Sequence, residues 1–419
     1  MLEQILDRDN MDRAYLRVKR NHGSGGVDGM SVEELGKYLA THKDRILQTI
    51  LDGKYRPNPV LRVEIPKDDG KSKRPLGIPT AVDRVIQQAI AQVLTPIYEP
   101  KFVETSYGFR PGRSQHDAMR KCLEYIDEGY KYAVDMDLEK FFDTVNQSKL
   151  IEVLSRDIKD GRVISLIHRF LRAGVVVCGK YDETELGVPQ GGPLSPLLSN
   201  ILLNELDHEL ERRGHRFVRF ADDMVILCKS KRAAQRTLEN ITPFIEKKLF
   251  LKVNREKTTV SYVKGVKFLG FSFRMTQTGA ALYVHPKSVR KLKTKIKILT
   301  NRSNGWGNDY RKLKLKQQII GWVNYFKIAG MKTLLQSVDE WMRRRIRALI
   351  WKQWKKAKTK YRNLVKLGVK HEDAYKAANT SNKYWRAVNG ATVKVAITND
   401  RLRQAGYMFF SDYYKKVSG

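Results

Sequence analysis

The stretch Arg216-Phe-Val-Arg-Phe-Ala-Asp-Asp-Met-Val-Ile-Leu-Cys-Lys-Ser230 constrains this chain strongly. Arg216–Phe220 and Met224–Cys228 are rich in β-branched, aromatic and aliphatic residues, which predicts two short strands. Ala221-Asp222-Asp223 supplies the tight turn between them. Two adjacent carboxylates at a strand edge have two explanations. Asp is common in turns because its side chain bonds nearby backbone amides. Alternatively, oxygen ligands are presented to Mg²⁺, which prefers carboxylate and phosphate oxygen. For an isolated Asp-Asp turn, the first explanation suffices.

A second acidic stretch shifts the balance. Tyr132-Ala-Val-Asp-Met-Asp-Leu-Glu-Lys-Phe-Phe-Asp143 begins as an apolar run, ends near an aromatic pair and carries four acidic residues. Burying unpaired carboxylates is costly, so such a strand needs cations nearby. Asp135 and Asp137 are two apart and share a face of a strand. Placed beside the hairpin, the strand brings three or four carboxylates together. That suits a two-metal phosphoryl-transfer site, with ions about 4 Å apart clamping the attacking and leaving oxygens. Taken alone, the Asp135–Asp137 strand also reads as an exposed edge.

Together the two stretches resemble a reverse transcriptase. The hairpin is similar to the aromatic-X-Asp-Asp motif, and Asp137-Leu-Glu-Lys-Phe-Phe142 to the first catalytic strand. Between them, Gly187-Val-Pro-Gln-Gly-Gly-Pro-Leu-Ser-Pro-Leu-Leu-Ser-Asn200 resembles the Pro-Gln-Gly block of group II intron-encoded enzymes. Leu76-Gly-Ile-Pro-Thr80, Tyr107-Gly-Phe-Arg-Pro-Gly-Arg113 and Phe268-Leu-Gly-Phe271 add further blocks in order. One residue departs from the pattern: Phe220 stands where the family usually has Tyr, so the ring is kept and the hydroxyl lost.

The resemblance implies an α+β right-hand polymerase. Fingers and palm, with an antiparallel catalytic sheet and an N-terminal extension, would occupy residues 1–285. A helical thumb (maturase X domain) would follow at 286–355, and a small basic nucleic-acid-binding domain at 356–419. It further implies two Mg²⁺ ions, replaceable by Mn²⁺, on Asp137, Asp222, Asp223 and the backbone carbonyl of Leu138. The same three aspartates are the implied catalytic residues, with Asp135 in a supporting place. The family places its sugar-discriminating gate at Phe142, where a large ring excludes a 2′-hydroxyl. It places Gln190 near the incoming nucleotide, beside glycines that allow close backbone approach.

Other blocks speak through their chemistry. Lys67-Asp-Asp-Gly-Lys-Ser-Lys-Arg74 reads as a basic turn between two strands. Its cations suit a triphosphate, and Lys67 and Arg74 match the family positions that hold the incoming nucleotide. Arg110 and Arg113 sit in a Gly/Pro loop with two aromatics. Arg110 reads equally as a nucleotide or template contact and as a buried structural arginine. His22-Gly-Ser-Gly-Gly-Val-Asp-Gly29 is a flexible loop able to approach phosphate, or a plain linker. Ser31 with Glu34 reads as a capping box. Helices are expected near 1–20, 41–52, 81–94, 115–127, 148–172, 197–212 and 231–249, and short strands at 252–254 and 262–273. The helix at 81–94 carries Asp83, Arg84 and Gln87 on one face.

Charge narrows the partners. The net charge of +34 across 419 residues exceeds what a solvated surface needs and points to a polyanion. By count, residues 286–360 hold 22 Lys/Arg against 3 Asp/Glu. Helical stripes run there through Val289, Leu292, Ile296 and Leu299, and through Ile319, Trp322, Val323 and Phe326. Gly321-Trp-Val-Asn-Tyr-Phe326 resembles the maturase X-domain signature. Trp341-Met-Arg-Arg-Arg-Ile-Arg-Ala-Leu-Ile-Trp351 mixes rings and guanidinium groups, which suits RNA. No apolar run approaches the roughly 20 residues of a membrane span, and the N-terminus reads as an amphipathic helix rather than a signal peptide. Cys122, Cys178 and Cys228 read as reduced core residues of a cytosolic protein.

The reading that follows is an RNA-directed DNA polymerase encoded by a group II intron. Its expected partners are the intron RNA, an RNA template with a DNA or RNA primer, target DNA and dNTPs, with no membrane. Its expected place is the bacterial cytosol, near the nucleoid. A missing His-Asn-His or paired-cysteine endonuclease site resembles the class C-like members. The competing reading is a catalytically silent RNA-binding splicing factor on the same scaffold. RNA binding alone does not require all three aspartates.

Overall fold

The computed structural model describes residues 1–66, 73–381 and 383–418. The chain forms two compact units, Met1–Leu269 and Gly270–Gly419.

The first unit is built on two sheets. One contains β1 (Val60–Pro66), β2 (Lys73–Ile78), β4 (Val175–Val177) and β5 (Lys180–Asp182), in the order β2-β1-β4-β5. The other contains β3 (Tyr132–Met136), β6 (Arg216–Phe220), β7 (Asp223–Cys228) and β8 (Thr259–Tyr262), in the order β6-β7-β3-β8. Every neighbouring pair in this second sheet is antiparallel. Ala133, Val134, Phe217, Val218, Val225 and Ile226 are buried, as expected of strands covered on both faces. The helices Gln115–Asp127 and Lys231–Lys247 pack on it. The helix Ser195–Arg212, with Pro196 in its first turn, is buried almost all round and also meets β6.

Most predicted elements appear close to their expected bounds, with informative differences. The N-terminal helix is broken at Asp7, whose carboxylate caps Arg8–Arg20 by accepting from the amides of Asp9 and Asn10. Ser31 and Glu34 form the expected reciprocal bonds, but the helix they precede starts at Leu35. Residues 252–254 contribute only an isolated bridge, between Val253 and Leu138. Asp83 and Arg84 serve the scaffold. Asp83 accepts from Tyr55 Oη at 2.7 Å, Thr80 Oγ1 at 2.6 Å and the Asn58 amide at 3.1 Å. Arg84 donates to the Ser24 carbonyl at 2.8 Å and so ties the glycine loop to the helix Ala81–Tyr98. Cys122 and Cys228 are buried, but Cys178 is exposed in the β4–β5 turn, where its backbone is left-handed.

The second unit opens with the hairpin β9 (Phe271–Thr276) and β10 (Gly279–Val284). Three long helices follow, Pro286–Leu299, Asn308–Phe326 and Lys332–Gln353, and then shorter ones. The hairpin was assigned to the palm by the sequence reading, yet it falls in this unit. Phe271 lies 5.8 Å from Tyr325 and 4.9 Å from Phe326, ring to ring. The residues expected to form the tail domain also pack here. Asp339 accepts from the amides of Phe410 and Ser411 at 2.8 Å each, and Phe410 meets Trp322 edge-on. Leu292, Ile296, Ile319 and Val323 are buried as their stripes predict.

Candidate active site

β3 and β7 pair in a register that sets Met136 opposite Met224 and Asp135 opposite Val225. Continued one step past β3, that register sets Asp137 opposite Asp223. Phe220 pairs with Asp223, so Ala221 and Asp222 form a two-residue hairpin turn. Sequence spacing therefore brings Asp137, Asp222 and Asp223 to one end of one sheet.

The turn is unusual in its backbone. Ala221 sits at φ +57, a conformation that only glycine adopts without cost. Arg219 lies directly behind it, fully buried. Its Nε donates to both oxygens of Asp207 at 2.8 and 3.0 Å. Its Nη1 donates to Asn200 Oδ1 and to the Ala221 carbonyl, each at 2.9 Å. Asn200 in turn donates to the Gly108 carbonyl at 2.8 Å. A Cβ on Gly108 would run into the backbone nitrogen of Ala221, so this glycine lets the Tyr107–Arg113 loop lie against the turn. This buried network holds the Asp-Asp turn from the side away from the carboxylates. Sequence reasoning missed it. The only signal was a charged residue, Arg219, in the middle of an apolar strand.

The carboxylates raise one another's proton affinity. Asp223 is pushed up to about 6, first by burial and then by repulsion from Asp222 and Asp137. Its outer face meets solvent, which mutes the burial share. Asp135 is also pushed up to about 6, by burial and then by Asp223 and Asp137. Asp222 is raised as well, chiefly by burial. Among the described residues, no three carboxylates, thiols or imidazoles are drawn together as a ready-made metal cage. The three aspartates share one end of the sheet but are not gathered into a closed ligand set. An open set of hard oxygen donors fits Mg²⁺. That ion usually takes one or two carboxylates and completes its shell with water and substrate phosphate.

Two lysines that sequence reasoning missed face this cluster. Lys257 Nζ lies 3.6 Å from Asp137 Oδ2. Lys267 acts electrostatically on Asp135 and Asp223. Both arrive from segments remote in sequence, so no local pattern announces them. The Asp137 carbonyl accepts from the Asn254 amide at 2.9 Å, and the Glu139 amide donates to Lys252 at 2.8 Å. These two bonds flank the Leu138–Val253 bridge and leave the Leu138 carbonyl out of the pairing.

The expected nucleotide contacts divide. Arg74, exposed on β2 opposite Ile65, is close enough to Asp222 and Asp223 to favour their charged forms. Lys67 lies outside the described residues. Phe141 is buried, whereas Phe142 is only partly covered, and the two rings meet edge-on at 5.2 Å. The Phe142 carbonyl accepts from the Val188 amide at 2.7 Å, which ties the short helix Phe141–Thr144 to the Pro-Gln-Gly block. The Gln190 carbonyl accepts from Gly77 at 2.6 Å, and Gly191, at φ +124, leaves no room for a Cβ against the Gly77 carbonyl. Gln190 and the β2 strand of Arg74 are therefore neighbours. Arg110 is a correction: it is structural. Its guanidinium donates to Glu99 Oε1 at 2.8 Å, to Val103 O at 2.6 Å and to Ser106 O at 2.8 Å, which leaves little for a nucleotide.

A twisted antiparallel sheet that presents carboxylates at a hairpin turn, flanked by a basic strand, defines a nucleic-acid polymerase palm of the reverse-transcriptase class. Comparison with known proteins agrees. Residues 65–273 match the family described as reverse transcriptase (RNA-dependent DNA polymerase). Residues 289–368 match the group II intron, maturase-specific domain. The group II intron-encoded protein LtrA of Lactococcus lactis subsp. cremoris is 32% identical over 358 residues, covering 68% of this chain and 58% of LtrA. Protein YkfC of Escherichia coli (strain K12) is 35% identical over 297 residues, covering 62% of this chain and 77% of YkfC. Among solved structures, a partial Cas6-RT-Cas1–Cas2 complex matches at 26% identity and a TM-score of 0.39, over 59% of this chain and 42% of that one. The chain belongs to the group II intron-encoded reverse transcriptase/maturase family. It spans less than two thirds of the length of LtrA. Among the described residues, no helix is long and apolar enough to cross a membrane.

Proposed function

We propose that this protein is an RNA-directed DNA polymerase that copies RNA into cDNA and binds its group II intron RNA to assist splicing and retrohoming. The observation that carries the reading is the register that sets Asp137 opposite Asp223, with Asp222 in the adjoining turn. In this reading Asp137 and Asp222, helped by Asp223 and the Leu138 carbonyl, hold divalent metal. When bound, Mg²⁺ supplies Lewis acidity at the primer 3′-hydroxyl and charge neutralisation at the phosphates. The 3′-oxygen then attacks the α-phosphorus of a dNTP and pyrophosphate leaves. Arg74, with Lys67, grips the triphosphate. Phe142 packs under the sugar and excludes a 2′-hydroxyl, and Gln190 orients the nucleotide. The basic helices of the second unit take RNA backbone.

Two assays test the two halves separately. Primer extension on an RNA template with dNTPs and Mg²⁺ tests the polymerase. In-vitro splicing of the parent intron at low Mg²⁺, with and without protein, tests the maturase. Splicing help without extension would leave the silent splicing factor as the correct reading.

A further inference from the structure

The second unit contains a cavity of about 750 Å³ between the helix Lys332–Gln353 and the short helices Tyr384–Ala387, Ala391–Ala396 and Asn399–Gln404. Arg343, Arg344, Arg347 and Lys394 line it, against one carboxylate, that of Glu340. Among the described residues, none of the four cations is paired with a carboxylate. Arg344 is set in place by other means. Its guanidinium lies 3.9 Å over the Trp385 ring and its Nη2 donates to the Trp385 carbonyl at 3.0 Å, while its buried Nε has no acceptor. Arg347 is likewise fixed, donating to Ile397 O at 2.8 Å and Asn399 Oδ1 at 2.9 Å. Burial, then repulsion from Arg343, disfavours its charge. The side chains of Arg343 and Lys394 make no hydrogen bond among the described residues, although the Arg343 guanidinium lies 5.5 Å over the Phe409 ring and acts electrostatically on Asp339. Trp341, partly buried, adds an aromatic wall whose ring also carries Arg345 at 5.2 Å and Lys293 at 6.0 Å, and Asn389 and Thr398 add amide and hydroxyl groups.

A recess with fixed, unpaired guanidinium groups is built for phosphate, which matches their planar donors. The aromatic wall asks for a flat partner, and stacking on an indole suits any base. The concavity excludes a duplex, whose phosphates lie on a convex rim. Only a single strand can splay one nucleotide into a pocket of this size. We propose that this cavity binds one extruded nucleotide of a single strand, its phosphate on Arg343, Arg344 and Lys394 and its base against Trp341. The site lies in the unit that does not contain the catalytic aspartates. It rests on the reading of the chain as a nucleic-acid-binding protein, but not on polymerase chemistry.

The test measures binding of fluorescent single-stranded pentanucleotides, RNA and DNA of one sequence, without metal or dNTP. Arg343→Gln/Lys394→Gln is compared with a charge-matched control, Lys358→Gln/Lys370→Gln, on exposed positions outside the cavity. The cavity pair should weaken binding about tenfold or more and flatten the log-affinity salt slope by about 0.7, the value for one phosphate on a single strand. The control pair should weaken it far less. Loss confined to the RNA, confined to the DNA, or common to both supports the pocket and names its strand. Equal loss in both variants overturns the proposal, because the charge would then act without a site. Failure of both pentanucleotides to bind wild type also overturns it. Primer extension by the same cavity variant is measured alongside. The two readings fail separately, because wild-type extension reports the polymerase and pentanucleotide binding without metal or dNTP reports the pocket.

Discussion

Charge is handled in opposite ways at the back of the palm sheet and in the recess of the second unit. Behind the catalytic turn, Arg219 and Asp207 are wholly buried, and each donor of Arg219 has an acceptor on Asp207, Asn200 or Ala221. In the recess, Arg343, Arg344, Arg347 and Lys394 gather with no salt bridge to a carboxylate among the described residues, although Glu340 lines the recess and Arg343 acts electrostatically on Asp339. A buried ion pair seldom adds stability over apolar residues of the same shape, but removing one partner is severe. The palm pair therefore makes sense as a device that fixes geometry. The unpartnered cluster adds no stability and makes sense only as a surface for something anionic. Partnered charge holds the Asp222–Asp223 turn, and the cationic recess is where the proposed phosphate would sit.

The largest expected effect comes from breaking the palm pair. Asp207→Ala should destabilise the protein by about 3–5 kcal/mol in urea denaturation, because Arg219 is left buried and uncompensated. Asp207→Leu with Arg219→Met should recover most of that stability yet still lose primer extension, since Ala221 no longer has its donor. If the double variant extends primers like wild type, the pair is scaffold and the comparison fails. Gly108→Ala is next. Its new methyl presses on the Ala221 nitrogen, and a displacement near 1 Å at the catalytic turn should slow extension about a hundredfold. RNA affinity, carried by the second unit, should hardly change in a filter-binding assay.

Phe142→Ala should raise incorporation of rNTPs relative to dNTPs by about tenfold or more in single-nucleotide extension, because a steric gate is removed. The pH prediction is smaller. Folded Asp135 and Asp223 hold protons up to about 6, whereas in the unfolded chain they lose them near 4. The folded state therefore binds more protons between those values, and stability falls as pH rises through that window. In metal-free thermal melts, wild type should lose more between pH 5 and pH 7 than Asp135→Asn/Asp223→Asn. Equal losses would mean that burial and mutual repulsion do not raise these two carboxylates as described. The smallest effect is expected at the exposed Glu372–Lys376 pair, where Lys376→Ala should cost no more than about 0.5 kcal/mol. That pair stands for the partnered charge that does nothing beyond the surface.

The catalytic end was legible because its signal is local. The β-branched, aromatic and aliphatic content of β6 and β7 and the Asp135–Asp137 spacing place the carboxylates at strand ends, and only the pairing of β3 with β7 brings them together. Arg74 was legible in the same way, as a cation on a short strand. What the pattern concealed depends on contacts across the chain. Lys257 reaches Asp137 from the stretch between the two expected strands at 252–254 and 262–273, which carries no pattern of its own. Arg110 looked ambiguous because its acceptors, Glu99, Val103 and Ser106, precede it in a segment with no regular period. Cys178 looked like core because its neighbours are valines, but they belong to a short strand whose turn faces solvent. The boundary near residue 285 was drawn where charge density changes. The compact units instead divide before Phe271, whose packing against Tyr325 and Phe326 no composition shift reports. The recess around Arg344 was legible only as a mixture of rings and guanidinium groups, since its other wall comes from residues 385–399.

The most direct measurement is extension of a primer on an RNA template with dNTPs and Mg²⁺, comparing wild type with Asp222→Ala at matched stability and RNA affinity. The account predicts full-length cDNA from wild type and none from the variant, with RNA affinity the same in both. Wild type that folds and binds RNA but adds no nucleotide would contradict it.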